Sequence, residues 1–239
     1  MPKTKDEYPL RSELLDYLEQ YEKRYHFPIE RPVQVVNISF DKDVFEVTTN
    51  KGSYFCKTLV SATGNYYNPF IPQYKNYDLF QGDKIHSAQY VNNKPFKAQN
   101  VLIIGGGNSG AQILAEVSLV ATTKWVTLKK PDYLDDDLDG RYIFDEANKI
   151  YAENKAAEGF SINKVVMIDT VKDARERGVL VDHRPFREFN ESGVTWEDGS
   201  VEKFDAVIWC TGFRPNLNHL SDLGILINGK SPTEGAHSK

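Results

Sequence analysis

Apolar positions along the chain change spacing several times, and each spacing predicts an element. Over residues 10–25 (LRSELLDYLEQYEKRY), Leu14, Leu15, Leu18 and Tyr21 recur every three or four positions, which places them on one face of a helix. Ser12 is its candidate N-cap, and Pro28 and Pro32 end the pattern. Residues 33–39 and 44–49 are rich in Val, Ile, Phe and Thr and read as strands. Asn50-Lys51-Gly52 turns the chain into a third expected strand over 53–60, completing a small antiparallel meander. Residues 65–75 carry two prolines and read as a linker, and the chain to Asn100 reads as irregular.

At residue 101 the pattern becomes continuous. Val101-Leu102-Ile103-Ile104 is apolar at every position, as a strand buried on both faces of a parallel sheet requires. A helix is expected over 109–121, a strand over 124–129, and a helix over 141–157 with Ile143, Phe144, Ala147 and Ile150 on one side. A strand near 165–168, a short helix of mixed charge and an apolar segment at 179–181 follow. A hairpin then folds about Asp198-Gly199, and the apolar strand 206–210 ends in Thr211-Gly212. Turn glycine, polar strand, apolar strand and Thr-Gly thus occur twice, at Gly52 to Gly64 and at Gly199 to Gly212. Such a repeat implies two similar units; a chance match of two hairpins is the alternative.

Composition narrows the class. The 239 residues are 40% hydrophobic and 26% charged, as in ordinary globular proteins. With 29 Lys and Arg against 34 Asp and Glu, the net charge is −5. No basic block exists to neutralise phosphates, so nucleic acid is not an expected partner. Cys56 and Cys210 form no CxxC pair, which argues against a disulfide scaffold, a zinc ribbon and a thioredoxin-reductase-type dithiol. No targeting segment and no long apolar run is present, so a cytoplasmic protein without a membrane partner is expected.

The chemistry begins at Gly105-x-Gly107-x-x-Gly110, which follows a buried strand and opens a helix. In that context the motif is a dinucleotide-binding turn. Gly105 permits the turn, Gly107 lets backbone approach a pyrophosphate, and Gly110 lets helix pack on strand. Asn108 and Ser109 lie at the helix start, whose free N–H groups and dipole favour phosphate. The fold expected is α/β, a Rossmann-like domain of parallel sheet plus antiparallel meander. An NAD site carries an acid about twenty residues on; here Lys129 and Lys130 stand there. Their ammonium groups would attract a 2′-phosphate, so NADPH is expected over NADH. A merely flexible turn and merely solvated lysines are the plainer alternatives. Asp135, Asp136, Asp137 and Asp139 read as a solvated loop before the next helix, and no metal site is expected.

A second motif, Phe80-x-Gly82-x-x-x-His86-x-x-x-Tyr90, precedes the glycine turn by some fifteen residues. Together with residues 60–72 (VSATGNYYNPFIP), 101–113 (VLIIGGGNSGAQI) and 205–216 (DAVIWCTGFRPN), it makes the chain resemble the class B flavoprotein monooxygenases. The resemblance implies FAD and NADPH as cofactors: NADPH reduces the flavin, and a hydroperoxyflavin oxygenates a small organic substrate. It implies that the motif residues are structural or position NADPH rather than act as nucleophiles. Ala62, Thr63 and Gly64, and Thr211 and Gly212, are implied to lie where the chain passes between domains near the cofactors. Tyr90 stands where related Baeyer–Villiger enzymes carry Trp, which tilts the resemblance toward oxygenation of heteroatoms.

The family also begins with a glycine-rich βαβ unit for the FAD pyrophosphate, and nothing before Val101 contains GxGxxG. Residues 1–93 therefore read as a partial FAD domain lacking that unit, 94–212 as the NADP(H) domain, and 213–239 as a shortened return segment. A partner chain or a homo-oligomer is expected to cover the apolar surface so left. The alternative to an oxygenating enzyme is an NADP(H)-binding remnant without catalysis.

Overall fold

The computed structural model describes residues 9–152, 164–227, 233–234 and 237–238. The chain divides into two compact units, Met1–Val60 with His219–Gly224, and Ser61–Asn218 with Ile225–Lys239. The sequence boundary at residue 93 falls inside the second unit.

The first unit holds α1 (Arg11–Tyr25) and the strands β1 (Val35–Asp41), β2 (Val44–Thr49) and β3 (Gly52–Cys56). Leu10, rather than Ser12, takes the N-cap position of α1; its N–H donates to the Glu13 carboxylate at 2.8 Å. The helix ends as His26 turns left-handed, φ 52°, and the N–H groups of His26 and Phe27 bond carbonyls of the last turn. The three strands form an antiparallel sheet in sequence order. Lys42 and Asp43 both have positive φ, 48° and 64°, as a two-residue hairpin turn demands. Ile38 is its buried apolar residue; Leu14, Leu15, Leu18 and Tyr21 on α1 are all exposed. The expected third strand stops at Cys56, four residues early. Residues 57–60 have no partner strand among the described residues, and Val60 is 83% exposed.

The second unit is built on five strands: β4 (Asp83–His86), β5 (Asn100–Ile104), β6 (Thr122–Val126), β7 (Asp182–His183) and, after a second antiparallel sheet of β8 (Glu188–Asn190), β9 (Gly193–Thr195) and β10 (Val201–Lys203), β11 (Ala206–Trp209). The order is β4-β11-β5-β6-β7, and every pairing is parallel. Alternation divides the apolar run between two cores. Val101 and Ile103 pack with Ala206 and Ile208 against α2 (Asn108–Val117) and α4 (Asp169–Glu176). Leu102 and Ile104 pack with Val207 and Trp209 against Phe186, Phe189 and Val194 of the antiparallel layer. The sheet is thus covered by helices on one face and by the meander on the other.

Several elements depart from the sequence reading. β4 lies in chain that the sequence pattern gives as irregular; its residues, Asp-Lys-Ile-His, are mostly polar because it is an edge strand. The helix expected over 109–121 ends at Val117. The strand expected over 124–129 runs from Thr122 to Val126, so Lys129 and Lys130 sit on the loop beyond it. In place of a strand at 165–168 there is one bridge, between Tyr133 and Val165. The helix expected over 141–157 is α3 (Gly140–Ala152), and residues 153–157 lie outside the described residues.

Candidate functional site

At the C-terminal end of β5 the chain turns through Gly105 at φ 130°. A Cβ there would stand 2.1 Å from the Cys210 carbonyl oxygen, and one at Gly110 would stand 2.0 Å from the Gly105 oxygen. Neither distance is tolerable, so packing alone requires these two glycines. Trp125 donates its indole N–H to the Gly105 carbonyl at 2.8 Å and fixes the turn to β6. Gly107 is different: a Cβ there meets nothing within 4 Å. It is the N-cap residue of α2 and has extended backbone, φ −95°, and no side chain caps this helix end. Open space, a free helix N-terminus and a missing side chain coincide at Gly107, which is the cradle a pyrophosphate needs. NADP(H) fits the residues present. Asn108 is committed elsewhere: its amide donates to the Lys164 carbonyl at 3.0 Å and accepts from the Val166 N–H at 2.7 Å. It can offer the ligand backbone only. Ser109 is exposed and Gly110 buried.

The loop after β6 lies beside this turn. A Cβ on Gly106 would be 3.3 Å from the Thr127 side chain and 3.8 Å from the Lys129 carbonyl oxygen. Lys129 and Lys130 are exposed. Two residues that sequence reasoning missed complete this corner. Arg184 donates to the Leu128 carbonyl at 3.1 Å and pairs with the Asp182 carboxylate, which Thr127 also approaches. The pairing is made across β6 and β7, so no local signal marks it; a cation just past the last parallel strand was the available hint.

The second motif is built on β4. Phe80 is buried in the core beneath the meander, and a Cβ on Gly82 would overlap both the Phe80 ring and the Asp205 carbonyl at 2.4 Å. His86 ends β4, buried. Its Nδ1 accepts from the Ala88 N–H at 3.1 Å, so its Nε2 carries the proton and donates to the Gly212 carbonyl at 3.0 Å. Burial pushes its pKa down, against the opposing effect of the Gly212 carbonyl. Both ring nitrogens are therefore occupied by backbone. The Tyr90 hydroxyl is buried without a hydrogen-bond partner among the described residues, and its ring stacks on Phe96. Burial and, secondarily, the Glu116 carboxylate raise its pKa.

The two Thr-Gly segments meet at this place. Gly212, at φ 77°, accepts from the Phe70 N–H at 2.9 Å, and the Thr211 hydroxyl bonds the Phe70 carbonyl. Thr63 donates to the Asn216 carbonyl at 3.1 Å, and Tyr66 stacks on Phe213. Ala62, Thr63 and Gly64 are exposed. So His86, residues 62–70 and residues 211–216 form one bonded cluster. The acidic loop is used locally: Asp136 forms a two-point pair with Arg175, and Asp139 pairs with Arg141. Cys56 and Cys210 are free thiols, and burial pushes Cys210 up to about 12. A thiol protonated that far above neutrality is no nucleophile.

Parallel sheet, glycine turn and uncapped helix define a dinucleotide-binding oxidoreductase fold. The model of the pyridine nucleotide-disulphide oxidoreductase family matches residues 1–234. The chain belongs to that family, among its class B flavin monooxygenases. It is similar to the oxidoreductase CzcO of Bacillus subtilis, 31% identical over 96% of this chain and 71% of that protein. It is similar to the solved flavin-containing monooxygenase of Stenotrophomonas maltophilia, 41% identical with a TM-score of 0.85, over 98% of this chain and 67% of that one. The bacillithiol disulfide reductase of Bacillus cereus, 21% identical with a TM-score of 0.67, shares the fold. No helix among the described residues is long and apolar enough to cross a membrane.

FAD is a different matter from NADP(H). Among the described residues of the first unit there is no glycine-rich strand–helix turn, and α1 is entered through Leu10 and Glu13. These residues offer no second pyrophosphate cradle.

Proposed function

We propose that this chain binds NADPH in its second unit and presents it, in the cytoplasm, as hydride donor to a flavin-dependent monooxygenase reaction on a small organic substrate. The observation that carries the reading is the contrast within one turn: Gly105 and Gly110 are required by packing, whereas Gly107 faces open space at an uncapped helix end. The backbone N–H groups of Asn108, Ser109 and Gly110 hold the pyrophosphate, and Lys129 and Lys130 hold the 2′-phosphate. When bound, NADPH supplies a hydride. His86 positions rather than reacts, since it holds the Gly212 carbonyl and with it the crossover at residues 211–216. Ala62, Thr63, Gly64, Thr211 and Gly212 shape the passage beside the cofactor. A partner chain or a second copy covers the apolar face of α1. The absence of a CxxC pair and a buried, protonated Cys210 disfavour the disulfide-reducing chemistry of the wider family.

A second reading is favoured by the absence, among the described residues of the first unit, of a glycine-rich strand–helix turn: a chain that binds NADP(H) and oxygenates nothing. The two share a test of the site. Gly107→Val is expected to abolish NADPH binding in a calorimetric titration while the thermal midpoint stays near that of the parent. Gly105→Ala is expected to destabilise the fold by roughly 2 kcal/mol or more, because it adds strain at positive φ to an overlap with Cys210. Unchanged NADPH affinity in Gly107→Val would sink the placement of the site.

A further inference from the structure

We propose that Arg184 sets the cofactor preference of the nucleotide site, acting as a positioning residue that neutralises Asp182 and pins the loop bearing Lys129 and Lys130. This inference rests on the NADP(H) reading above and goes beyond it by naming what selects the 2′-phosphate.

The contacts run in an unbroken series from the glycine turn. The Thr127 side chain lies against Gly106. The Thr127 hydroxyl points to Asp182 Oδ2 at 3.4 Å, and its N–H bonds the His183 carbonyl at 2.9 Å. Asp182 Oδ2 receives Arg184 Nη2, and Arg184 Nη1 reaches back to the Leu128 carbonyl at 3.1 Å. The guanidinium therefore ties β7 to the residue immediately before Lys129.

The chemistry follows from charge. A carboxylate at the carboxyl end of these strands favours a ribose 2′-hydroxyl and repels a 2′-phosphate. Asp182 stands one strand over, opening β7 beside the end of β6, with its side chain only 20% exposed. Alone it would oppose the lysines. Paired with Arg184 it adds no net charge, and the corner is left positive by Lys129 and Lys130. The guanidinium itself is 53% exposed, and its planar fork spans both of its partners, the Asp182 carboxylate and the Leu128 carbonyl. The ligand group selected is an adenosine 2′-phosphate monoester.

The test is calorimetric titration of the full chain with NADPH, NADH, adenosine 2′,5′-bisphosphate and adenosine 5′-monophosphate, at low and high salt. Arg184→Ala is expected to weaken NADPH and the bisphosphate about tenfold or more, with NADH and the monophosphate within about twofold. Adding Asp182→Asn to Arg184→Ala should recover part of the loss, because the repelling charge is gone. Asp182→Asn and Arg184→Lys serve where Arg184→Ala does not fold: the first should raise the NADPH to NADH ratio, and the second should lower it. Salt should erode the ratio in the parent more than in Arg184→Ala. An equal loss for both nicotinamides would mean that Arg184 only holds the loop, and an unmoved ratio in all of these variants would mean that it does nothing for selection. Either overturns the proposal and leaves the NADP(H) reading standing. If the parent binds neither nicotinamide, that reading fails, and this inference fails with it.

Discussion

His86 places both ring nitrogens on backbone groups, one as acceptor and one as donor. Protonation would turn the Nδ1 acceptor into a donor facing the Ala88 N–H. That conflict, added to burial, is why the folded protein resists charging this ring. The sign of the pH effect follows. A histidine whose folded pKa is lowered binds more protons when unfolded, so stability is present at neutral pH and is lost as pH falls through the ordinary histidine range, near 6.5. His183, lowered mainly by burial with help from Lys124, adds in the same direction. The thermal midpoint is expected to fall between pH 7.5 and 5.5, and His86→Gln should flatten that slope; an equal slope in the variant would contradict the assignment. At this scale the glycines were legible, because a turn, a close approach and helix packing each need the missing side chain. Spacing already gives each a role; the structure adds the Cys210 carbonyl against Gly105 and the open space at Gly107.

Elements differ in how much burial supports them. β5 is apolar at four successive positions and fully covered, while α1 buries no residue. An isolated helix of 15 residues is marginal in water, so α1 depends on whatever covers Leu14, Leu15 and Leu18. Hydrogen exchange is expected to label the amides of residues 11–25 within seconds in the isolated monomer, and those of residues 100–104 far more slowly. Comparable protection of the two would mean that the α1 face is already covered, by a partner or a second copy. The continuous apolar run and its helix were readable in the sequence because burial on two faces leaves no polar position. β4 was hidden by the opposite circumstance: at the sheet edge only Ile85 and His86 need cover, and the pattern reads as loop. β3 was overextended for lack of a neighbour. Its counterpart in the second unit, β10, hands on to β11 inside a parallel sheet; residues 57–60 have no such strand beside them among the described residues.

At the scale of the molecule the two units carry different messages. The second is a complete dinucleotide-binding sheet with two cores. The repeat read from Gly52–Gly64 and Gly199–Gly212 holds for the antiparallel strands and fails at the apolar strand that should follow. The corner proposed for the 2′-phosphate shows the other limit of sequence reading. Lys129 and Lys130 are expected there from position alone, whereas Asp182 and Arg184 reach that loop only through contacts between segments more than fifty residues apart. On the proposed reading, a chain of net charge −5 keeps a pair of exposed lysines beside its glycine turn. The most direct measurement is titration of the purified full chain with NADPH and then FAD, following heat and the visible flavin spectrum. NADPH is expected to bind, and FAD is expected not to bind to this chain alone, because one glycine-rich strand–helix turn is present among the described residues. Flavin bound and bleached by NADPH would contradict that and show a working flavoenzyme; no heat with NADPH would contradict the site itself.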